Sequence, residues 1–306
     1  LFFSTHGKVY RLKVWRLPEG APQTRGRPMV NLLPLAEGET ISTVLPLPEN
    51  EEEWRNLHVI FATAHGGVRR NSMDAFTNIP TNGKFAMRFD EDATDRLIGV
   101  ALVTEDEDVL LATRNGKAIR FSATDVREFQ SRTSTGVRGI SLLGGDEVIS
   151  LSILRGFAAT TDERDAYLRA APWKEERAGD ATLPPERMAE FAAAEEFILT
   201  VTANGYGKRS SAYEYRRTNR GGQGITNIET SERNGKVVAS FPAHNGEQLM
   251  LVTDHAKLIR TTGGDIRIAA RKKQNTSGAS RGRSLNVPVP WPTPVALRMS
   301  SSQRVR

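Results

Sequence analysis

Guanidinium groups recur in this sequence at fixed places. With Gly7, Gly66, Gly116, Gly205 and Ala256 as reference points, an arginine follows four residues later each time: Arg11, Arg70, Arg120, Arg209 and Arg260. A second basic element falls about 17 to 22 residues after the reference point, in a glycine-containing loop. Its members are Arg25-Gly26-Arg27, Gly83-Lys84, Arg132 with Gly136-Val137-Arg138, and Arg220-Gly221-Gly222-Gln223-Gly224. Lys13, Lys208, Arg216 and Arg217 lie in the same basic stretches. Glycine lets backbone N–H groups approach a phosphate closely while Arg or Lys supplies the charge, so the loops suit the phosphates of duplex DNA. The arginines of the first set have an equally good structural use, pairing with a carboxylate of their own repeat, and the residues alone do not choose between the two.

Other chemistries find no support. His6, His65 and His255 occupy the same turn position as Asn115 and Asn204. They are expected to be turn residues that tolerate a left-handed backbone, in separate repeats and too far apart to share a metal. Gly205-Tyr206-Gly207-Lys208-Arg209-Ser210 fails the phosphate-loop spacing, because position 202 is Thr and Arg follows Lys208. The chain contains no HExxH, no G-x-S-x-G and no carboxylate pair spaced for acid–base work. It has no cysteine, which excludes disulfides, thiolate zinc sites and thiol catalysis and is compatible with a reducing cytoplasm.

The elements that must position the cations are repeats. An apolar run, a tight turn and a basic strand recur at Leu1-Phe2-Phe3 before His6-Gly7, Val59-Ile60-Phe61 before His65-Gly66, and Val109-Leu110-Leu111 before Asn115-Gly116. They return at Phe197-Ile198-Leu199 before Asn204-Gly205, and at Leu249-Met250-Leu251 before His255-Ala256. The steps are 59, 50, 89 and 51 residues, and the long one contains a segment of different composition, 155–195, read as an insertion. Each repeat carries four strand-like segments. In the second these include Phe85 to Phe89 and Leu97 to Val103, and in the third Val109 to Thr113, Ala118 to Phe121, Val137 to Leu142 and Val148 to Leu154. Asn-Gly between apolar runs predicts a hairpin with positive φ at both central residues. Four strands per unit of about 50 residues predict an all-β, propeller-like array of about five blades, ring or spiral, each blade buried by its neighbours. In such an array equivalent loops fall at equivalent places and would form a belt of positive charge.

Composition agrees. In 306 residues Lys and Arg number 42 against 36 Asp and Glu, a net charge of +6, which favours a polyanionic partner. No apolar run approaches the ~20 residues that span a bilayer. The start at Leu1-Phe2-Phe3-Ser4, in the middle of a strand pattern, predicts that the chain is cut from a longer protein.

Val9-Tyr10-Arg11-Leu12-Lys13-Val14-Trp15-Arg16-Leu17-Pro18, leading to Arg25-Gly26-Arg27-Pro28-Met29-Val30-Asn31-Leu32-Leu33-Pro34-Leu35, resembles the second blade of the gyrase A C-terminal domain, the DNA-wrapping domain of DNA gyrase. Thr135-Gly136-Val137-Arg138-Gly139-Ile140, Asn204-Gly205-Tyr206-Gly207-Lys208-Arg209 and Glu232-Arg233-Asn234-Gly235 resemble later parts of it, so that the likeness runs over 1–270 apart from the insertion. The resemblance implies a six-bladed β-pinwheel, here without its first blade, in which strands are exchanged between blades. It further implies a bacterial, cytoplasmic, nucleoid-associated domain, non-catalytic and monomeric when isolated, around which double-stranded DNA is wrapped. Its partners would be the gyrase B subunit, in an A2B2 holoenzyme, and the N-terminal breakage-reunion part of its own polypeptide. That isomerase introduces negative supercoils, with ATP and Mg used outside this chain. Topoisomerase IV's corresponding domain and a propeller serving as a protein-interaction platform are the alternatives.

Three departures accompany the likeness. The family's signature box, of the type Gln-Arg-Arg-Gly-Gly-Lys-Gly, is absent, with only an echo at Arg220-Gly221-Gly222-Gln223-Gly224. The segment 155–195 carries six basic and nine acidic residues, and Pro184-Pro185-Glu186 followed by Met188, Phe191 and Ala192 predicts a short amphipathic helix packed on a blade. Beyond Asp265 the chain has no carboxylate, and 271–306 reads as a basic, irregular tail. Pro288, Pro290, Pro292 and Pro294 there argue against strand pairing and for a last blade lacking its second half. An altered reading frame near Lys272 or a lineage-specific flexible extension would each account for that.

Overall fold

A computed structural model describes the chain except for residues 22, 90–93, 133, 172, 174–182, 254–257, 267, 270–293 and 300–306. In chain order the first repeat contains β1 (Phe2–Ser4), β2 (Lys8–Tyr10) and β3 (Ile41–Val44). The second contains β4 (His58–Thr63), β5 (Gly67–Ser72), β6 (Lys84–Phe85) and β7 (Leu97–Val103), and the third β8 (Asp108–Thr113), β9 (Lys117–Ser122), β10 (Val137–Arg138) and β11 (Val148–Leu154). Helices α1 (Thr161–Ala170) and α2 (Pro185–Ala194) follow. The fourth repeat holds β12 (Phe197–Thr202), β13 (Gly207–Ser211), β14 (Ile225–Thr226) and β15 (Val237–Pro242), and the fifth β16 (Gln248–Thr253), β17 (Leu258–Thr262) and β18 (Pro294–Met299).

Among the described residues these strands form five antiparallel sheets, ordered β3-β1-β2-β6, β10-β5-β4-β7, β11-β8-β9-β14, β13-β12-β15 and β17-β16-β18. The array is therefore propeller-like, with one exchange: β6, β10 and β14 each complete the sheet of the preceding repeat. The third strand-like segment of a repeat is thus shorter than the sequence pattern, and it serves its neighbour. Central strands such as β8 are buried along their whole length. Successive sheets share cores, and one of them joins Phe3 of the first repeat to Phe61, Met73 and Phe76 of the second. The Phe3 and Phe61 rings meet edge-on at 5.7 Å. The next cluster joins Ile60, Ala62 and Val68 to Val109, Leu111 and Phe121. In the second, third and fourth repeats the second strand then enters a short 3-10 turn with an N–H met by a serine: Ser72 accepts from Asp74, Ser122 from Thr124 and Ser211 from Tyr213.

The hairpin turns differ from expectation in one respect. Positive φ falls on the glycine alone, and Asn78 is the one described non-glycine residue that has it, so His6, His65, Asn115 and Asn204 keep negative φ. Gly116 N donates to Thr113 O at 3.1 Å and has φ 81°, the pattern of a type I turn closed by a left-handed glycine. His255 lies outside the described residues. The glycine is also a docking point. Gly116 O accepts from Asn227 N (2.8 Å) and Ile228 N (3.3 Å) of the exchanged segment, just as Gly66 O accepts from Gly139 N and Ile140 N.

Among the described residues of 155–195, α1 and α2 form a helical hairpin built on the fourth repeat. Phe191 of α2, foreseen as its apolar contact, is fully buried beside Tyr167 of α1 and Tyr213 of the fourth repeat's 3-10 turn. Helix α1, which was not foreseen, is opened by a capping box between Thr160 and Glu163. Glu195 ties the hairpin to the blade, accepting from Tyr167 Oη (2.8 Å), Trp173 Nε1 (3.0 Å) and Ser211 Oγ (2.6 Å). Burial nevertheless pushes its pKa up, against these three donors. The expectation of no strand pairing in the tail is corrected for 294–299, since β18 pairs with β16 along its length in the place that β15 takes beside β12. Pro294 stands at the first position of β18, where a missing N–H is tolerated. The remainder of 271–306 lies outside the described residues.

Two outcomes are expected. Gly116→Ala places a methyl 2.2 Å from Ile228 O at a left-handed φ; it should destabilise the chain by about 1–3 kcal/mol in urea unfolding, the cost of such backbone strain. Because folding raises the Glu195 pKa, its contribution to stability declines as pH rises from the ordinary glutamate range through the raised value. Hairpin docking, followed by Trp173 fluorescence on heating, should therefore tighten as pH falls through that window, and Glu195→Gln should flatten the response.

Candidate nucleic-acid interface

The two sets of cations have different fates. Arg70, Arg120 and Arg209 point inward, with 7%, 7% and 3% of their surface exposed. Each makes a backbone bridge to the following repeat, opposite Glu128, Arg217 and Ile268 respectively. Their guanidiniums continue that contact. Arg70 Nε donates to Val126 O at 2.9 Å and Arg209 Nε to Ile266 O at 2.9 Å. Arg120 Nη1 donates to Ala212 O at 2.9 Å, while its Nε bonds Asp108 Oδ2 at 2.8 Å. These three are fasteners between repeats and are withdrawn from the candidate interface. A strand arginine whose neighbour is another sheet finds carbonyls at hand, so burial with several acceptors wins over solvent. Arg11 is half-buried, paired with Glu51 and set 5.9 Å from the Trp54 ring. Arg260 is exposed and bonded to the Gln248 side chain.

The loop cations of the second, third and fourth repeats lie toward the outside and adjoin one another. Arg132 Nη1 of the third repeat donates to Phe85 O at 3.3 Å, next to Lys84 of the second. Arg220 of the fourth repeat donates through Nη1 to Arg138 O at 3.0 Å and through Nε to Asp125 O at 2.9 Å. The backbone follows the same course, with Gly221 N on Gly139 O at 2.6 Å and Ser141 N on Gly222 O at 2.8 Å. Arg216, Thr218, Asn219 and Arg220 line a cleft of about 360 Å³ beside this junction. Arg138 and Arg216 are exposed, and Arg220 is half-buried. Among the described residues no carboxylate lies within ion-pair distance of Lys84, Arg132, Arg138, Arg216 or Arg220. Arg25 and Arg27 are exposed in the first repeat, with no described bond to the other loops. Of the rest, Lys13 pairs with Glu49 at 2.9 Å, Arg217 Nε stands 3.3 Å from Asp108 Oδ1, and Lys208 is half-buried on β13.

One cation was missed by sequence reasoning. Arg69, fully buried on β5, bonds Asn71 Oδ1 and the carbonyls of Arg132, Ser134 and Ala86, with its guanidinium 4.9 Å from the Phe61 ring. Burial, with Arg132 adding to it, lowers its pKa to about 10. Its position holds Tyr10, Ile119, Lys208 and Ile259 in the other repeats, so no periodic signal marked it. Among the described residues no group of three or more acidic, His or Cys side chains could hold a metal, and no helix is long and apolar enough to cross a membrane.

Known proteins resemble this chain in sequence and in fold. The family model described as "DNA gyrase C-terminal domain, beta-propeller" matches residues 1–48, 57–104, 107–155, 196–244 and 247–274, leaving out the helical hairpin. The DNA gyrase A protein of Granulibacter bethesdensis is 50% identical over 295 residues, covering 89% of this chain and 31% of that protein. The DNA gyrase A protein of Escherichia coli K12 is 37% identical over 274 residues, covering 90% of this chain and 26% of its own length. The chain thus spans about a third or less of these relatives. Among solved structures, the C-terminal domain of DNA topoisomerase IV superposes with a TM-score of 0.67 at 19% identity, covering 88% of this chain and 71% of that one. A gyrase A C-terminal domain superposes with a TM-score of 0.60 at 21% identity, covering 88% and 75%.

Arg120→Ala leaves Asp108, 2% exposed, without its main partner. The substitution should cost about 3–5 kcal/mol in denaturant unfolding, as breaking a buried pair does, with no change in polyanion affinity at temperatures where the variant is folded.

Proposed function

This chain belongs to the DNA gyrase C-terminal domain family, and from that membership we propose that it binds duplex DNA along its loop cations and bends it, without chemistry of its own. One observation carries the reading: basic loops of the second, third and fourth repeats touch in succession, Arg132 on Phe85 O and Arg220 on Arg138 O. Loops fixed to one another hold their charges at set intervals, as a phosphate backbone requires. Bending 20–30 bp by 40–90° costs on the order of 1–6 kcal/mol, which distributed phosphate contacts can offset. Released counterions give such contacts a steep salt dependence and little base preference.

The rest of the proposal concerns the longer protein. Strand breakage and rejoining would belong to the N-terminal part of the same polypeptide. ATP hydrolysis, with Mg, would belong to the gyrase B subunit of an A2B2 assembly in the nucleoid-containing cytoplasm. The DNA wrap would then bias strand passage toward negative supercoils. By itself the chain would be a monomer. A topoisomerase IV assignment is favoured by the higher TM-score of that superposition. At 19% identity that likeness is one of fold, and the relatives at 37–50% identity are gyrase A proteins, which favours gyrase.

Gel shift and minicircle topology on the 306-residue chain test the reading. Affinity for duplex DNA should fall steeply between low and moderate salt. Arg25→Ala with Arg27→Ala should lower the log–log salt slope by about 2 and reduce bending. Arg164→Ala with Arg169→Ala, on the helical hairpin, should change neither. Weak salt dependence with strong base preference, or equal effects of the two pairs, rejects the model in favour of a protein-interaction platform.

A further inference from the structure

We propose that the junction of the second and third repeats is a seat for one phosphate group, formed by Lys84 and Arg132 above the buried guanidinium of Arg69, and that a DNA backbone phosphate is its missing counter-ion. The proposal rests on the DNA-binding reading above and adds to it a specific site and a residue, Arg69, outside the periodic pattern.

The argument begins with a charge in the wrong place. A buried cation is ordinarily matched by an anion, because removing it from water is costly. Arg69 is 0% exposed, and its bonded partners are all neutral: the Asn71 amide, three backbone carbonyls and the face of Phe61. Two of those carbonyls belong to Arg132 and Ser134, and the third to Ala86, so Arg69 holds the Arg132 loop and the Lys84 strand together from beneath. Above it, Lys84 Nζ bonds only carbonyls, Thr77 O at 3.0 Å and Ala75 O at 3.3 Å, and Arg132 Nη1 bonds Phe85 O. Three positive groups therefore converge with nothing negative among their described contacts.

Their mutual effect has one sign. Burial lowers the Lys84 pKa and Arg132 lowers it further; burial and Arg132 act on Arg69 in the same direction. At two other junctions a carboxylate stands near the buried arginine, Asp108 at 2.8 Å from Arg120 and Glu105 at 3.8 Å from Arg70, whereas Arg209 bonds the neutral Ile266 O and Asn245 Oδ1 with no second cation described against it. Here the described residues supply no carboxylate. A phosphate diester brings one negative charge and several acceptor oxygens, which suits a planar guanidinium beside an ammonium. The seat also stands next in line to Arg138 and Arg220, so that a bound phosphate would continue the same track.

A cluster kept for a ligand and a cluster kept for stability respond to neutralisation with opposite signs. In Arg132→Gln and Lys84→Met the repulsion is relieved. The 306-residue chain carrying either should melt at or above the parent temperature in low-salt chloride, while its log–log salt slope for duplex DNA falls by about 1. Inorganic phosphate, compared with chloride at equal ionic strength, should raise the parent Tm and lose that effect in both variants. Variants that melt below the parent and keep its DNA slope show the cluster to be structural and overturn the proposal. If they keep the slope while the Arg25 and Arg27 pair lowers it, this seat fails and the wider reading stands. A phosphate response in a parent that does not bind duplex DNA shows a site for free phosphate, which overturns both the DNA counter-ion and the wider reading.

Discussion

None of the first three repeats completes its own sheet. The second strand of each hairpin in the first three repeats is covered by a two-residue strand from the next repeat, and a hairpin glycine carbonyl takes two N–H groups from the segment that follows that strand. A blade can therefore bury its hairpin only when the next one is folded against it, which makes the array cooperative through its junctions. The same exchange fixes the loops. Each exchanged strand is the direct continuation of a basic loop, so the pairing of Val137 with Val68 or of Ile225 with Ala118 sets where Arg132, Arg138 and Arg220 stand.

This arrangement divides the arginines into two kinds by depth. Those at the middle of the second strand face the neighbouring repeat, where carbonyls and an occasional carboxylate meet most of their donors, Arg70 Nη1 excepted; Arg209, whose pKa burial lowers, bonds Ile266 O and Asn245 Oδ1. Those on the loops reach across the junction from outside, using one edge of the guanidinium on a carbonyl and leaving other donors to solvent. Arg220 does this with two carbonyls of the third repeat. A guanidinium suits the second task because its donors form a rigid fork, whereas Lys84 must spend its ammonium on Ala75 O and Thr77 O.

The period, the hairpins and the insertion were legible because they rest on local patterns: apolar runs closed by glycine, and a segment of foreign composition. The class of each arginine was not, since a basic residue alternating with apolar ones reads as solvent-facing whichever sheet later packs over it. Arg70 and Arg120 thus kept two equal readings in sequence, DNA contact or a structural pairing, whereas Arg138 in its glycine-containing loop favoured DNA. The exchange of strands was implied by the family likeness and not by the residues, because β6 and β10 carry only two paired residues each and pair far from their own hairpins. Arg69 was invisible for another reason: its partners are backbone carbonyls, which no side-chain pattern encodes. The tail misled in the opposite direction, since a proline at the first position of β18 does not weaken a strand as one at its centre would.

A curved polyanion needs cations that are already in place before it arrives. Flexible lysines on mobile loops would each lose rotamer freedom on binding, about 1.5–2 kcal/mol for a long charged side chain, and would cancel much of the gain from phosphate contact. Here the loops are fastened by backbone bonds such as Gly221 N to Gly139 O, and Arg132 and Arg220 are each tethered at one end. That ordering was completed when the chain folded, with the exchanged strands supplying the enthalpy. What remains for binding is the repulsion among like charges held at close quarters, and a phosphate removes that. The junctions that make the fold cooperative are therefore also places where anion binding gains, because cations there are ordered and, among the described residues, unmatched by a carboxylate.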